Sequence, residues 1–209
     1  MASIFIGHQL HIYTMEHIAK SETGTVRGPR WIEWLGHLKG TPCKGMELGT
    51  FQGSSAEWFL DNICTHKDSF LYCVDTFEGS DEHHLHGIDV SKNYQIAQDR
   101  LTRFTNKAFM VNMSHKQMLS ETSVGSGTFD FLYVDADHSA RGCLRDAVIG
   151  FELLKVGGIM IFDDYLWNAM PMEIDRPKIA VDSFRNCYLK EMEVLPGRGY
   201  QVAFKKIKE

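Results

Sequence analysis

The sequence predicts a doubly wound α/β fold, in which helices cover both faces of a mostly parallel sheet. From about residue 44 onward, short apolar runs typical of buried strands alternate with segments whose apolar residues recur at helical spacing. Near the end of the chain, two apolar runs flank the turn-forming segment Pro196-Gly197-Arg198-Gly199, which indicates a hairpin. We therefore expect one antiparallel strand from this hairpin to join the parallel sheet.

The separate elements are predicted from the same patterns. Strands are expected where the chain is continuously apolar or alternates, at residues 44–48, 70–74, 108–111, 129–134, 159–162, 192–195 and 200–204. Helices are expected where apolar residues repeat every three or four positions, at residues 54–63, 91–104, 114–121, 144–154 and 178–190. Ser54 or Ser55 is expected to cap the first of these helices, and Gly157-Gly158 to end the fourth.

Residues 1–43 fit no strand–helix repeat. In this segment Gly28-Pro29, followed by Trp31, Trp34 and other apolar residues and then by a glycine, predicts a helix with proline near its start. We interpret residues 1–43 as an N-terminal helical cap or lid, and residues 44–209 as a single globular α/β domain. At least one of the two tryptophans is expected to pack the cap rather than to cover a pocket.

Composition and charge argue against several classes of function. The chain has 209 residues, a net charge of −5 and no basic run longer than Lys205-Lys206, so neither nucleic acid nor an anionic membrane surface is an expected partner. No apolar run approaches the roughly 18 residues that span a bilayer, and the N-terminus lacks the features of a signal peptide. The five cysteines form no Cys-x-x-Cys pair, which favours buried reduced thiols in a cytoplasmic protein.

A glycine-containing turn joins the first strand to the first helix, in the segment Glu47-Leu48-Gly49-Thr50-Phe51-Gln52-Gly53-Ser54. Gly49 would let the chain turn sharply, and Gly53 would let the backbone approach a ligand. The unpaired N–H groups at the start of the following helix can bind a carboxylate or a phosphate. In an open α/β sheet this turn lies at the carboxyl ends of the strands, where ligands bind.

The spacing of the glycines distinguishes between cofactors. Dinucleotide-binding folds use Gly-x-Gly-x-x-Gly, whereas this chain has Glu-x-Gly-x-x-x-Gly and lacks the middle glycine that admits a pyrophosphate. A cofactor with a carboxylate and no phosphates, such as S-adenosylmethionine, fits this turn better. Asp75, followed by Thr76, ends the second strand, where a carboxylate can accept hydrogen bonds from both ribose hydroxyls.

Four segments resemble, in order and spacing, the glycine motif and the later strand-end motifs of class I S-adenosylmethionine-dependent methyltransferases: MELGTFQGSS, LYCVDTFEG, FDFLYVDADHS and LLKVGGIMIFDDYLW. The resemblance covers about residues 44–206, and it is greatest to small O-methyltransferases such as the catechol-type and macrolide-sugar enzymes. It implies a Rossmann-like fold and an S-adenosylmethionine-binding domain. It also implies which residues would line the cofactor: Glu47, Gly49, Thr50, Gly53 and Ser54 at the methionine part, Asp75 and Thr76 at the ribose, and Ser114 near the adenine.

Three carboxylates are expected beside this cofactor, at the same edge of the sheet. Asp135 ends the fourth strand, and Asp163 and Asp164 end the fifth. Such a cluster is unfavourable unless a cation or protons neutralise it, and hard oxygen ligands suit Mg²⁺. The resemblance likewise implies a divalent cation held by an acid after the fourth strand and an acid pair after the fifth. Two alternatives stay open: Asp137 in place of Asp135, and metal-free acids that cap helices and orient the cofactor.

His138 lies three residues after Asp135, where the catechol-type enzymes that this chain resembles carry a lysine that takes the proton from the substrate hydroxyl. An imidazole can accept this proton near neutral pH, and a metal-bound hydroxyl is already acidified. Asp135 and His138 are therefore the predicted catalytic residues of a direct displacement at the sulfonium methyl group, with Asp135 also beside the cofactor. Trp167 is expected to wall the acceptor pocket.

The sequence thus predicts a cation-assisted methyltransferase that acts on the oxygen of a small hydroxylated molecule, such as a sugar, a phenol or a natural product. A metal-independent or nitrogen-directed methyltransferase stays open, while an NAD-dependent oxidoreductase is disfavoured by the glycine spacing and by the lack of a Tyr-x-x-x-Lys pair. The histidines at 83, 84 and 86 match no zinc spacing and are interpreted as a solvated loop that helps to shape the pocket. Pairing of cap helices would make the protein a homo-oligomer.

Overall fold

The structure, a computed structural model, describes residues 27–80, 83–84, 87–121, 124–168, 170–197 and 199–209. Three parts of the sequence predictions lie outside these residues, namely positions 1–26 of the predicted cap, His86 of the histidine loop and Arg198 of the predicted turn. The strands of the described residues form one seven-stranded sheet.

The sheet confirms the predicted fold class. Its strands, in chain order, are β1 (Lys44–Leu48), β2 (Phe70–Asp75), β3 (Ala108–Asn112), β4 (Phe129–Val134), β5 (Leu154–Phe162), β6 (Met192–Val194) and β7 (Val202–Lys206). Their spatial order is β3-β2-β1-β4-β5-β7-β6. The first five strands run parallel, β7 is antiparallel to β5, and β6 pairs with β7 in the predicted hairpin.

The strand order reverses between β1 and β4. From β1 the chain crosses outward to β2 and then β3, and it returns to place β4 on the other side of β1. Ligands of open α/β sheets bind at such a reversal, outside the carboxyl ends of the strands. The glycine turn after β1 and Asp135 after β4 both lie at this point.

Helices cover both faces of the sheet. They are α1 (Gly28–Leu35), α2 (Ser54–Asn62), α3 (Asn93–Leu101), α4 (His115–Glu121), α5 (Ala140–Leu153) and α6 (Pro177–Cys187). Residues of α1, α2 and α3 share one core cluster with alternate residues of the strands, such as Leu71 and Tyr133. Residues of α4, α5 and α6 share a second cluster with the intervening strand residues, such as Leu132 and Phe162. The two-sided burial explains why the central strands are continuously apolar.

The start of α2 differs from the prediction that Ser54 or Ser55 caps it. Its cap position is Gly53, which has a φ of 77°, and no side chain caps the helix there. The Ser55 hydroxyl instead donates to Glu47, and Ser54 Oγ accepts a hydrogen bond from Arg100. Both serines are therefore used in contacts across the fold, which a local capping pattern does not reveal.

The prediction that Gly157-Gly158 ends a helix was wrong. Helix α5 ends at Leu153 and β5 begins at the next residue, so the two glycines lie within the strand. Gly157 has a φ of 91°, and the pairing of β4 with β5 shifts register between Phe129 and Phe131. The glycines thus accompany an irregularity at the start of a strand, which is another place where glycine is common.

Helix α1 is packed against the sheet by its two tryptophans. Trp31 is fully buried, and its ring centroid lies 4.6 Å from that of Phe59 and 5.4 Å from that of Tyr133. Trp34 is also buried, and its Nε1 donates to the Pro196 carbonyl oxygen at 2.7 Å. Both side chains therefore pack the described part of the predicted cap, as expected for at least one of them.

Among the described residues, no helix combines the length and the apolar character that crossing a bilayer requires.

Gly45 offers a test of the packing between β1 and its neighbours. A Cβ at this position would fall inside contact distance of the buried Phe131 ring and of Leu71. Because a close-packed core cannot absorb this overlap, we expect Gly45→Ala to lower the free energy of unfolding by about 1–3 kcal/mol. Chemical denaturation followed by circular dichroism measures this loss. Gly125→Ala is the matched control, since nothing lies within 4 Å of a Cβ there; equal losses in the two variants would contradict the explanation.

Candidate active site

A cavity of about 460 Å³ opens at the carboxyl edge of the parallel strands. The glycine turn after β1, the loop after β2, the start of α4 and the segment after β4 contribute its walls. Eight of the residues predicted for the site line it: Gly49, Thr50, Ser54, Asp75, Thr76, Ser114, Asp135 and His138. The structure therefore brings both predicted catalytic residues and most of the predicted cofactor residues to one cavity, whereas Glu47 and Gly53 are absent from its lining.

The turn after β1 depends on Gly49. This residue has a φ of 93°, and a Cβ here would overlap the backbone carbonyl of Asp135. Its N–H donates to the Val74 carbonyl oxygen at 2.9 Å, which ties the turn to the end of β2. Gly53 differs, because its φ is also positive but a Cβ would meet nothing closer than 3.5 Å. Gly53 is thus needed for backbone conformation, and it is absent from the cavity wall.

Asp75 holds the two loops on either side of it. Its Oδ2 accepts a hydrogen bond from the Phe51 N–H at 2.6 Å, and its Oδ1 accepts one from the Phe77 N–H at 2.7 Å. Phe51 and Phe77 have φ angles of 48° and 58°, a region that residues other than glycine seldom adopt. The carboxylate therefore stabilises two strained residues at the cavity. Each of its oxygens keeps a lone pair for a further donor.

Glu47 lies beneath the turn and is fully buried. Its Oε1 accepts a hydrogen bond from the Ser55 hydroxyl, while its Oε2 has no hydrogen-bond partner among the described residues. Burial raises the pKa of Glu47 to about 8, against the opposing effect of the Ser55 hydrogen bond. A buried carboxyl with one unused oxygen is suited to a cationic ligand group.

Four of the predicted cofactor residues, Thr50, Ser54, Thr76 and Ser114, carry hydroxyl groups and line the cavity, and the last three have hydrogen-bond partners there. Ser114 Oγ accepts from the Gln117 N–H at 3.2 Å, and Gln117 Oε1 accepts from the Ser114 N–H at 3.2 Å, which is a reciprocal cap at the start of α4. Thr76 Oγ1 accepts from the Glu78 N–H at 3.3 Å. Ser54 accepts from Arg100. Their positions fit the predicted cofactor contacts, and their hydrogen bonds fix the loops in which they lie.

Asp135, His138 and Asp164 form one cluster, of which Asp135 and His138 line the cavity. His138 Nε2 lies 3.0 Å from Asp164 Oδ2 and 3.5 Å from Asp135 Oδ1. One potential ligand atom from each residue lies within 4.8 Å of the others. Burial raises the pKa of Asp135, and the charge of Asp164 acts in the same direction, while His138 opposes them. The Trp167 ring centroid lies 5.0 Å from that of His138, but Trp167 is not among the residues that line the cavity.

The structure places Asp163, the third predicted acid, in a separate set of contacts. Its Oδ2 accepts from the Tyr133 hydroxyl at 2.6 Å and pairs with Arg27 Nη1 at 2.9 Å, and its Oδ1 accepts from Gln201 Nε2 at 3.1 Å. Burial raises the pKa of Asp163 to about 7, and the charges of Asp135 and Asp164 act in the same direction. Asp163 is therefore adjacent to the cluster and has its own donors.

Asp137, the predicted rival of Asp135, lies in the wall and belongs to the start of α5. Its Oδ1 accepts from the Ser139 N–H at 2.9 Å, and its Oδ2 lies 3.7 Å from Arg145 Nη2. A Cβ at Gly142 would overlap the Asp137 carboxylate, so the first turn of the helix is built around this side chain. The structure thus brings Asp135, and not Asp137, to His138 and Asp164.

Sequence reasoning missed two residues of the cavity, Arg27 and His115, whereas His83 belongs to the loop that was expected to shape it. Arg27 lines it from the residue before α1 and contacts Asp163. His115 lines it with Nδ1 at 2.8 Å from the buried Asp146. His83 stacks on Phe51 with ring centroids 5.1 Å apart, so this part of the histidine loop does shape the wall. Of these three residues, only His83 could be expected at the cavity from the sequence, because it follows β2. Arg27 and His115 could not, because their partners lie far away in the sequence.

The sequence matches the family described as "Methyltransferase domain" over residues 46–165, which is more than half of the chain. A caffeoyl-CoA O-methyltransferase from Mesembryanthemum crystallinum is 39% identical to this chain over 51 residues. This match covers 24% of the present chain and 19% of the plant enzyme, so it spans about a fifth of that relative.

Solved methyltransferase structures share the fold. An O-methyltransferase from Bacillus cereus in complex with SAH has a TM-score of 0.59 at 16% identity, over 88% of this chain and 81% of that one. TomG, an O-methyltransferase from Streptomyces achromogenes in complex with SAM, has a TM-score of 0.53 at 16% identity, over 79% and 73%. The SAH-bound methyltransferase PaMTH1 from Podospora anserina has a TM-score of 0.59 at 14% identity, over 100% of both chains. The chain therefore belongs to the methyltransferase-domain family and has the fold of the class I S-adenosylmethionine-dependent methyltransferases.

Proposed function

We propose that this methyltransferase transfers the methyl group of S-adenosylmethionine to an oxygen atom of a small hydroxylated molecule, with the help of a divalent cation. The observation that carries the proposal is the single cavity, which joins the turn at Gly49 and Asp75 to Asp135 and His138. The names of the similar proteins support it, because they are O-methyltransferases and two of them are complexes with SAM or SAH.

The cofactor end of the cavity fits S-adenosylmethionine. The start of α2, whose first N–H groups have no partners within the helix, suits the carboxylate of the methionine part. The unused Oε2 of Glu47 suits its ammonium group. Asp75 can accept hydrogen bonds from the ribose hydroxyls, and Ser114 would lie near the adenine. Thr50, Ser54 and Thr76 would complete this wall.

The opposite end fits a divalent cation. Asp135 and Asp164 offer hard carboxylate oxygens, which suit Mg²⁺ and leave room for water and substrate oxygens. These two acids would hold the cation, while Asp163 would support the site through its own hydrogen bonds. When bound there, a cation acidifies a coordinated hydroxyl group. We therefore replace the predicted ligand set of Asp135, Asp163 and Asp164 by one centred on Asp135 and Asp164.

The side chains of the acceptor end would align and deprotonate the substrate. Since the sulfonium methyl group is itself electrophilic, the protein has only to place the acceptor oxygen in line with it and to take up its proton. His138 would accept this proton, because the carboxylates at 3.0 and 3.5 Å stabilise the imidazolium that results. Trp167, which packs near the imidazole, would orient it and exclude water.

The remaining expectations belong to the same proposal. Residues 1–43 would form a cap, part of which packs through α1, in front of the methyltransferase domain at 44–209. The substrate would be a small molecule, and the net charge of −5 supports the absence of a nucleic-acid or membrane partner. A cytoplasmic homo-oligomer is the form that we propose for the protein.

Calorimetric titration tests the cofactor. S-adenosylmethionine should bind and NAD⁺ should not. Because burial holds the pKa of Glu47 near 8 in the free protein and a cofactor ammonium group favours the ionised carboxylate, binding at pH 7 should release a proton. Titrations in buffers of different ionisation enthalpy measure this release, and Glu47→Gln should abolish it.

Asp75→Asn should weaken binding about tenfold to a hundredfold.

Asp61→Asn is the matched control for both variants of the cofactor end, since this carboxylate pairs with Arg103 on the helix surface. It should bind the cofactor as the wild type does. Preferential binding of NAD⁺, or full affinity in Asp75→Asn, would refute the assignment.

Methyl transfer to a panel of phenols and sugars tests the cation. EDTA should lower the rate by about a hundredfold or more, Mg²⁺ should restore it, and cofactor binding should stay unchanged. Asp164→Ala should have the effect of EDTA. Asp137→Asn is the control, because this side chain caps Ser139 instead of joining the cluster. Full activity in EDTA would favour a metal-independent enzyme, and transfer to amines alone would favour a nitrogen-directed one.

Substitution of His138 tests the proposed base. His138→Gln should lower kcat by about 10²–10⁴-fold with a smaller change in KM, because proton transfer is lost while the wall of the pocket is kept. The pH–rate profile should also lose its acidic limb. His84→Gln, which changes an exposed histidine of the same chain, is the control. An unchanged pH–rate profile in His138→Gln would show that another group takes the proton.

A further inference from the structure

Arg27 brings a permanent positive charge to the carboxylates at the acceptor end. Its Nη1 lies 2.9 Å from Asp163 Oδ2, its side chain is one-quarter exposed, and it lines the cavity. Burial would lower the pKa of Arg27, and the charges of Asp163, Asp135 and Asp164 act in the opposite direction. The guanidinium therefore contacts Asp163 directly, and the Tyr133 hydroxyl, which donates to Asp163, also lies 3.4 Å from Asp135 Oδ2.

Hydrogen bonding alone does not account for this arginine. Asp163 already accepts from the Tyr133 hydroxyl and from Gln201 Nε2, so one donor reaches each of its oxygens without Arg27. The pKa of Tyr133 is raised by burial, so the phenol stays neutral and adds no charge. What Arg27 adds to this group is its charge.

The charges of the group can be counted. Asp135, Asp163 and Asp164 together carry three negative charges when ionised, and Arg27 reduces this to two. A divalent cation then brings the sum to zero, with His138 counted as neutral throughout. Without the arginine, the same cation would leave one negative charge beside the acceptor oxygen, whose own charge becomes more negative as it loses its proton.

We propose that Arg27 is a positioning residue that acts through Asp163 and matches the charge of the carboxylate group to a divalent cation. With Arg27 present the site carries two negative charges instead of three, so it binds the cation less tightly. The acceptor oxygen also meets less electrostatic repulsion as it loses its proton. This inference rests on the proposed function, since it needs a cation at Asp135 and Asp164.

Four variants separate a charge effect from a structural effect. Counting the three acids and residue 27, Arg27→Met leaves a charge of minus three, and Asp163→Asn leaves minus one. The double variant Arg27→Met/Asp163→Asn restores the minus two of the wild type, and Arg27→Lys keeps it. Mn²⁺ binding is measured from the electron paramagnetic resonance of the free ion at pH 8.5. Circular dichroism and thermal melting establish that each variant is folded.

The charge effect predicts changes in opposite directions. Arg27→Met should bind Mn²⁺ about tenfold more tightly or better, and Asp163→Asn should bind it more weakly by a similar factor. The double variant and Arg27→Lys should lie within about threefold of the wild type. In the transfer reaction, kcat should fall in Arg27→Met even when Mn²⁺ is saturating.

A purely structural role predicts a different pattern, in which every substitution loosens the site. Weaker or unchanged Mn²⁺ binding by Arg27→Met would therefore overturn the inference, as would a double variant that binds more weakly than both single variants. If Arg27→Met does not fold, two other results still support the inference. These are Mn²⁺ binding by the double variant that equals that of the wild type, and weaker Mn²⁺ binding by Asp163→Asn. Failure of the wild type to bind Mn²⁺ would overturn the cation in the proposed function and this inference with it.

Discussion

A short ladder of backbone hydrogen bonds holds the whole site in place. The residue that follows each of three strands donates its N–H to the last or second-last carbonyl of the neighbouring strand: Gly49 to Val74 at 2.9 Å, Asp135 to Leu48 at 2.8 Å and Asp163 to Val134 at 3.0 Å. These bonds extend the hydrogen-bond pairing of the parallel sheet by one residue beyond each strand. The three turns therefore begin side by side at the same edge of the sheet. The cofactor turn and the acids then share one cavity, and the contact of Gly49 with the Asp135 carbonyl leaves no space for any other residue at that position.

The second requirement of the site is the control of negative charge. Glu47, Asp135, Asp163 and Asp164 are among the buried or half-buried carboxylates along this edge, and burial raises the pKa of the first three. Removing a carboxylate from water is expensive unless donors or cations replace the water. The fold supplies such groups unequally. Asp163 has a guanidinium, a phenol and an amide, while Glu47 keeps one oxygen without a partner among the described residues. That difference separates an acid that supports the structure from one that is available to a ligand.

Most of the fold could be predicted from the sequence because local patterns determine it. Strands covered on both faces are continuously apolar, and the β1 and β4 bounds were predicted to the residue. The position of Asp135 at a strand end also follows from the pattern, because the ends of parallel strands meet at one edge. The direction of a side chain does not follow in this way. Asp163 and Asp164 are adjacent and chemically identical, so the sequence does not distinguish them. Their environments differ because Asp164 has a φ of 53° and because hydrogen-bond donors surround Asp163. Arg27 was missed for the same reason, since its partner is 136 positions further along the chain.

The contact between Trp34 and Pro196 joins residues 162 positions apart, and Arg27, just before the start of α1, reaches Asp163 just after β5. A ribosome delivers α1 first and the hairpin of β6 and β7 last. The apolar face of α1 therefore has no complete docking surface during most of synthesis, although the central strands can already pair. Non-local contacts of this kind also slow folding, because a long loop must close before they form. Nascent chains that stop before Pro196 would thus hold the cofactor turn without a fully seated α1, and the acceptor end of the cavity would be the last part of the protein to be assembled.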